Sequence, residues 1–174
     1  MNIAPKPVSE RRRRKSSGNV IIECVFTLVP MFALLFGMID IGLMIFRWTT
    51  VQNAVREGCR YAVTFQTMTG LHQDASIQTT VQNYAMGFVK ITDSPQTIFV
   101  KYYSQSNLNS PIGSGGNVPG NIVEVSVQNL SFRWIAPLSG TIASPLYAST
   151  PLGLKAYALD IMGGYPLGVS SVTE

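Results

Sequence analysis

The sequence predicts an α+β fold: a long N-terminal helix, first transmembrane and then amphipathic, followed by a second helix and a small antiparallel sheet. Three observations predict it. From Val20 to Phe46 the chain is apolar, with markedly polar side chains only at Glu23, Thr27 and Asp40. Apolar positions then recur every three or four residues as far as Phe88, the period of helices that bury one face. Beyond Pro95 the period changes to short β-favouring runs. At 174 residues the chain suits one ordinary domain with an appendage and is short for two independent cores.

The first element is a basic leader, residues 1–18. Lys6, Arg11, Arg12, Arg13, Arg14 and Lys15 supply six of the 13 positive charges against one acid, Glu10, so residues 1–15 carry 6 − 1 = +5 and the rest of the chain 7 − 8 = −1. The net charge of +4 therefore belongs to a short arm. A uniformly basic face is absent, and nucleic acid is not an expected partner. Read alone, Arg11 to Arg14 could be a nuclear or nucleic-acid tag; directly before an apolar span they read better as a topology signal. Charged residues are only 13% of the chain, about half the ~25% of an average soluble domain, which directs attention to the span.

Residues 19–46 are the expected transmembrane helix. The 27 positions from Val20 to Phe46 make roughly 40 Å of helix, against ~30 Å for the hydrocarbon core of a bilayer. Five basic residues, Arg11 to Lys15, lie within a few positions of its start, whereas Arg47, Arg56 and Arg60 follow its end, so the N-terminus is expected in the cytoplasm and everything from Arg47 onward outside it. A cleaved secretory signal fits less well, because its apolar region is ~7 to 15 residues and ends at a small-x-small site. A twin-arginine signal lacks the residues that should follow the arginine pair. An uncleaved single-pass anchor remains open.

The segment Arg14-Lys15-Ser16-Ser17-Gly18-Asn19-Val20-Ile21-Ile22-Glu23 adds a glycine at the head of the apolar helix and a carboxylate five places later. It resembles the processing site of the type IV pilin superfamily. That resemblance implies a cut by a membrane prepilin peptidase between Gly18 and Asn19, and an assembly role for Glu23. Physically, a residue without a side chain leaves a protease cleft unobstructed and tolerates irregular backbone. A carboxylate in an apolar helix costs up to roughly 2.5 to 3.5 kcal/mol at the centre of a bilayer and calls for a partner. Cleavage creates one, the α-amino group of Asn19, four residues away. The plain alternative is that Glu23 sits at the cytoplasmic interface and reaches water.

Further along stand Pro30, Asp40 and then Ala54, Arg56, Glu57, Gly58, Arg60 and Ala62. With the glutamate at the head, this series resembles the TadE-like family, pseudopilins or minor pilins of the tight-adherence (Flp) pilus of bacteria, over about the first 62 residues. One departure is Cys24, where precursors of that system usually carry an aromatic residue. The resemblance implies a pilin-like architecture, a single-pass place in the bacterial inner membrane with the C-terminal domain in the periplasm, and three kinds of partner: prepilin peptidase, other pilin-like subunits and the pilus assembly machinery. A type II secretion pseudopilin is the near neighbour, but those usually open with phenylalanine after the cut, and here Asn19 stands there.

Within the span, Pro30 predicts a kink or a rewoven turn. Gly37 and Gly42 are weak packing signals, since their spacing is not GxxxG. Asp40, about 25 Å beyond Glu23, is expected near the outer interface in reach of water. Arg47 and Trp48 read as an interfacial anchor. Residues 47–66 form the amphipathic extension, with Trp48, Val51, Val55, Cys59, Ala62 and Val63 on one stripe, so that the helix ends at about Phe65.

Residues 67–174 are the expected exported domain. Thr69 and Gly70 interrupt the helix, and Asp74 or Ser76 can cap a second one carrying Ile77, Val81, Tyr84, Ala85 and Phe88. Strands are expected at Ile98 to Tyr103, Ile122 to Gln128, Phe132 to Ile135 and Leu154 to Ile161, with exposed loops at Ser104 to Asn121 and Ala136 to Pro151.

Catalysis finds little support, and no cofactor or metal is expected. His72, the single histidine, stands in a polar loop without company. The acidic residues after Asp40 are scattered singly, and Gly113 to Gly116 precede no helix that could cradle a phosphate. Cys24 and Cys59 fall on one helix, ~50 Å apart if it is continuous, far beyond the ~7 Å reach of a disulfide. Cys59 reads as a packing residue, with an intermolecular bridge as the lesser alternative. The rival from another class is an uncleaved anchor carrying a periplasmic binding or envelope-scaffold domain; a soluble secreted enzyme ranks below it.

Overall fold

The computed structural model describes residues 17–93, 95–132, 152–165, 167 and 171. The basic cluster Arg11 to Lys15, the far end of the run expected at Phe132 to Ile135, and the loop Ala136 to Pro151 lie outside these residues. The elements are helix α1 (Ser17–Val63), helix α2 (Gln73–Tyr84) and strands β1 (Ile98–Ser104), β2 (Asn107–Ile112), β3 (Ile122–Phe132) and β4 (Leu152–Ile161). This is the α+β arrangement the sequence predicts.

Helix α1 is continuous for 47 residues, through Pro30, and is about 70 Å long. Its first half is bare except at its end, where Asp40 is buried. Its second half is the centre of the domain: Val51, Ala54, Val55, Cys59 and Ala62 are buried, one stripe at helical spacing. The helix stops two residues before the expected Phe65. Thr64 and Phe65 close it with N–H bonds to the carbonyls of Tyr61 and Ala62, and Phe65 takes a left-handed φ of 52°. For a phenylalanine that conformation costs about 1–2 kcal/mol. Burial of the ring, which packs 4.6 Å from the Tyr165 ring, offsets it.

Helix α2 runs antiparallel to α1. Gln73 donates to the Ala62 carbonyl near one end, Val81 meets Gly58, and Phe88, just beyond the helix, meets Phe46 near the other. The cap is His72, whose backbone is extended, in place of the expected Asp74 or Ser76. Both of those side chains are engaged elsewhere. The Asp74 carboxylate accepts the Tyr102 hydroxyl at 2.5 Å, and Ser76 bridges the Met68 amide and the His72 carbonyl.

The sheet has the order β2-β1-β3-β4, all neighbours antiparallel. Val123, Val125 and Val127 of β3 point into the core with Ala156 of β4. Each fully buried valine contributes roughly 1.5–3 kcal/mol of apolar burial. A bulge between Val127 and Leu130, with Asn129 at φ 59°, adds one residue and returns Leu130 and Phe132 to the buried side. The segment predicted as a separate strand from Phe132 is thus, at Phe132, the end of β3.

Strand β2 corrects the expectation of a loop from Ser104 to Asn121. Its side chains are almost all exposed, so no alternation marks it, and it is held by pairing with β1. Residues 113–121 are not merely exposed either. A Cβ on Gly116 would lie 2.5 Å from the Cβ of Tyr102, and Asn117 is buried. The Asn117 amide donates to the Gln73 side chain at 3.0 Å, and Gln73 in turn donates to the Ala62 carbonyl at 3.0 Å. That chain gives the Ala62 carbonyl, in the last turn of α1, a second donor beside the Phe65 N–H.

Candidate functional site

The residues that carry the sequence signal fall on three stretches of α1: its head, its bare span and its packed half. At the head, the helix begins at Ser17, so Gly18 and Asn19 lie in its first turn. The sequence predicts irregular backbone at Gly18, just before the helix. In a first turn the N–H groups lack partners within the helix, which makes it the least costly turn to open. Among the described residues a Cβ on Gly18 would meet nothing within 4 Å, so packing among them gives no reason for a glycine there.

Glu23 is exposed, one turn beyond Asn19, and its backbone carbonyl accepts the Thr27 hydroxyl at 3.0 Å. Positions four apart face the same side of a helix, so the structure places Asn19 and Glu23 on one face. Around them the surface is apolar: Ile21, Phe26, Leu34 and Met38 are each more than 60% exposed. The helix is long and apolar enough to cross a membrane once, and its most apolar window is not buried within the chain at all. A strip of apolar surface this long on one helix is what a bilayer or neighbouring helices cover.

Asp40 departs from the expectation of easy access to water: it is 1% exposed. It shares a helix face with Arg47, Val51 and Ala54, which follow it by seven, eleven and fourteen residues, and that is the face on which the domain lies. Cys24 is exposed on the span, and neither cysteine is in a disulfide.

Arg47 and Trp48, read from sequence as an interfacial anchor, are placed where the bare helix becomes core. The Arg47 guanidinium lies 5.4 Å from the centroid of the Phe88 ring and donates to the Phe88 carbonyl at 3.4 Å. Phe46 meets the same ring edge-on at 6.0 Å. On the other side, the Trp48 indole N–H donates to the Lys155 carbonyl at 3.3 Å, and Gln52 donates to the Tyr157 carbonyl at 3.0 Å. These partners are 41 to 107 residues away, and nothing in the local sequence signals them.

In the packed half, Ala54, Gly58 and Ala62 form a stripe of small residues four apart. Ala54 and Ala62 are fully buried, and a Cβ on Gly58 would overlap the Val81 side chain. Arg56 and Arg60 are exposed, and Arg60 pairs with Glu57 at 3.2 Å. The run of small and charged residues is thus a packing device: the small ones admit α2 and β3, and the charged ones face water. Cys59 lies in this core, its thiol 3.9 Å from the Val123 carbonyl and pushed up to about 12 by burial, with Asp160 nearby adding to the effect. A buried thiol of that kind does not reach another chain. Burial and the neighbouring Glu124 also raise Tyr103.

An open hollow of about 300 Å³ lies beside Glu57, Arg60, Tyr61, Thr64, Gln66, Thr80 and Tyr84. It holds no histidine or cysteine, and its one carboxylate is paired with Arg60. Among the described residues no three metal-ligating side chains gather.

No curated protein and no solved structure matches the chain. Residues 18–60 match the family model of the TadE-like proteins. The match covers all of α1 except Ser17 and the last three residues. The similarity falls on the head, the bare span and the packing stripe as far as Gly58 and Arg60.

Proposed function

We propose that the protein is a membrane-anchored minor pilin or pseudopilin that helps to assemble a tight-adherence pilus. The observation that carries this reading is the extent of the family match: it falls on one unbroken helix that is bare and apolar in its first half and the core of a domain in its second. A subunit that packs side by side with others through such helices needs both halves in one rigid piece. An ordinary anchored domain more often has a flexible linker between them.

In this reading Val20 to Phe46 span the inner membrane, the basic leader stays in the cytoplasm, and the domain after Arg47 is periplasmic. A prepilin peptidase cuts after Gly18 once the first turn of α1 opens. The new α-amino group of Asn19 then lies one turn from Glu23, in reach of it or of the same carboxylate on a neighbouring subunit. The role is structural, and the chemistry of processing is supplied by the peptidase.

The test is to co-express the chain with a prepilin peptidase and determine its N-terminus. The expected start is Asn19, lost in Gly18→Arg. An intact Met1 would sink the processing role and favour an uncleaved anchor; a start beyond Phe46 would mean a signal peptide.

A further inference from the structure

We propose that the underside of the domain, the turn at residues 85–93 together with Trp48 and Lys155, rests on the headgroup layer of the membrane that α1 crosses. The proposal depends on the reading of Val20 to Phe46 as a membrane span, and not on the pilus role.

Position is the first argument. The contacts of Phe46 and Arg47 with Phe88 hold the α2–β1 turn at the level where the bare helix ends. If Val20 marks one edge of the ~30 Å hydrocarbon core, the other edge falls about twenty residues on, near Asp40. Residues 41–46 then cross the headgroup layer, and the turn meets its outer part.

Surface chemistry is the second argument. Met86 is 73% exposed, and Ile91 and Trp48 are each at least 40% exposed, large apolar groups at the rim of the span. Lys90 and Lys155 are also exposed, and Arg47 lies against the Phe88 ring. The neighbouring acid, Asp93, is turned back onto the Lys90 amide at 2.9 Å. Apolar tips among cations, beside an indole, match a layer that is half hydrocarbon and carries anionic lipid.

Backbone conformation is the third. Met86 and Gly87 take successive left-handed conformations, φ 51° and 82°. For methionine this is unfavourable, and the buried neighbours Ala85 and Val89 fix the turn that presents it. Nothing in the core gains from an exposed methionine there; a lipid surface does.

The test uses the full chain with Cys24→Ser, leaving Cys59 buried. Single cysteines at Met86→Cys, Ile91→Cys, Leu71→Cys and Val25→Cys carry an environment-sensitive fluorophore. The protein is placed in nanodiscs of three parts phosphatidylcholine to one of phosphatidylglycerol. Leu71 lies at the opposite end of the domain, beyond the end of α1. A water-soluble quencher is expected to act several-fold less on positions 86 and 91 than on 71, with 25 fully shielded. Equal quenching at 86, 91 and 71 with 25 shielded overturns the seating while leaving the span intact. Quenching at 25 as strong as at 71 overturns the span and the seating together.

Discussion

The indole N–H of Trp48 donates to the backbone carbonyl of Lys155 at 3.3 Å, and one turn later Gln52 repeats the contact two residues along the same strand. Four helical residues rise about 6 Å and two strand residues about 6.6 Å, so the helix and β4 keep step. β4 is an edge strand, whose open carbonyls are otherwise a template for pairing with another chain. At the opposite edge β2 carries Pro111, which has no N–H to offer. Trp48→Phe with Gln52→Leu is expected to lower stability by about 1–2 kcal/mol, close to 1 for each bond. Urea unfolding in detergent measures the loss, and amide exchange should speed first in β4. Unchanged exchange there would mean that the two bonds do not guard the edge.

The approach of α1 to α2 depends on Gly58. Gly58→Ala gains about 1 kcal/mol of helix propensity, but its methyl group overlaps Val81, and overpacking costs typically 1–3 kcal/mol. A net loss of about 1 kcal/mol is expected. Adding Val81→Ala makes room, so the double variant should be more stable than the sum of the two single effects. Simple additivity in urea unfolding would show that the two positions do not compete for the same space.

The Cys59 thiol is held neutral in the fold, its pKa raised from 9.0 to about 12, mainly by burial. The sign follows from linkage: below pH 9 both states are neutral and the full stabilisation is present. As pH rises from 9 towards 12 the unfolded thiol ionises first and that stabilisation is lost. Cys59→Ala should flatten this part of the stability profile. In the Cys24→Ser protein at pH 8 a thiol reagent should spare Cys59 until denaturant is added; fast modification of Cys59 in the native protein would contradict the burial.

Glu23 is exposed on an apolar surface, and among the described residues no contact of its carboxylate explains it. Glu23→Ala is expected to leave protein level, membrane insertion and domain stability unchanged, while pilus assembly falls. Normal piliation at wild-type protein levels would remove the assembly role.

The long helix was legible from sequence because hydropathy and a three-to-four spacing are local properties, and both continue from Val20 to Val63. The core strands were legible from the alternation of Val123, Val125 and Val127. Strand β2 was not, because its exposed Asn, Ser and Pro residues carry no pattern and its order comes from β1. The cap of α2 was misplaced because Asp74, a good capping residue, is engaged by Tyr102, 28 residues on. Asp40 was placed in water from its depth along the helix; its burial depends on which face the domain occupies, and only tertiary structure fixes that. Gly18 and Glu23 were recognised by resemblance, and within the fold neither is explained by packing.

The unbroken course of α1 from Ser17 to Val63 also has a mechanical consequence. With the same rod serving as anchor and core, the domain has no slack: axial displacement at Glu23 becomes displacement at Ala62, and a twist of the span becomes a change in the azimuth of the sheet. The compliant point is Pro30, where one rung of the helical ladder is missing. Bending is thereby confined to the apolar span, while the packed half transmits load without yielding.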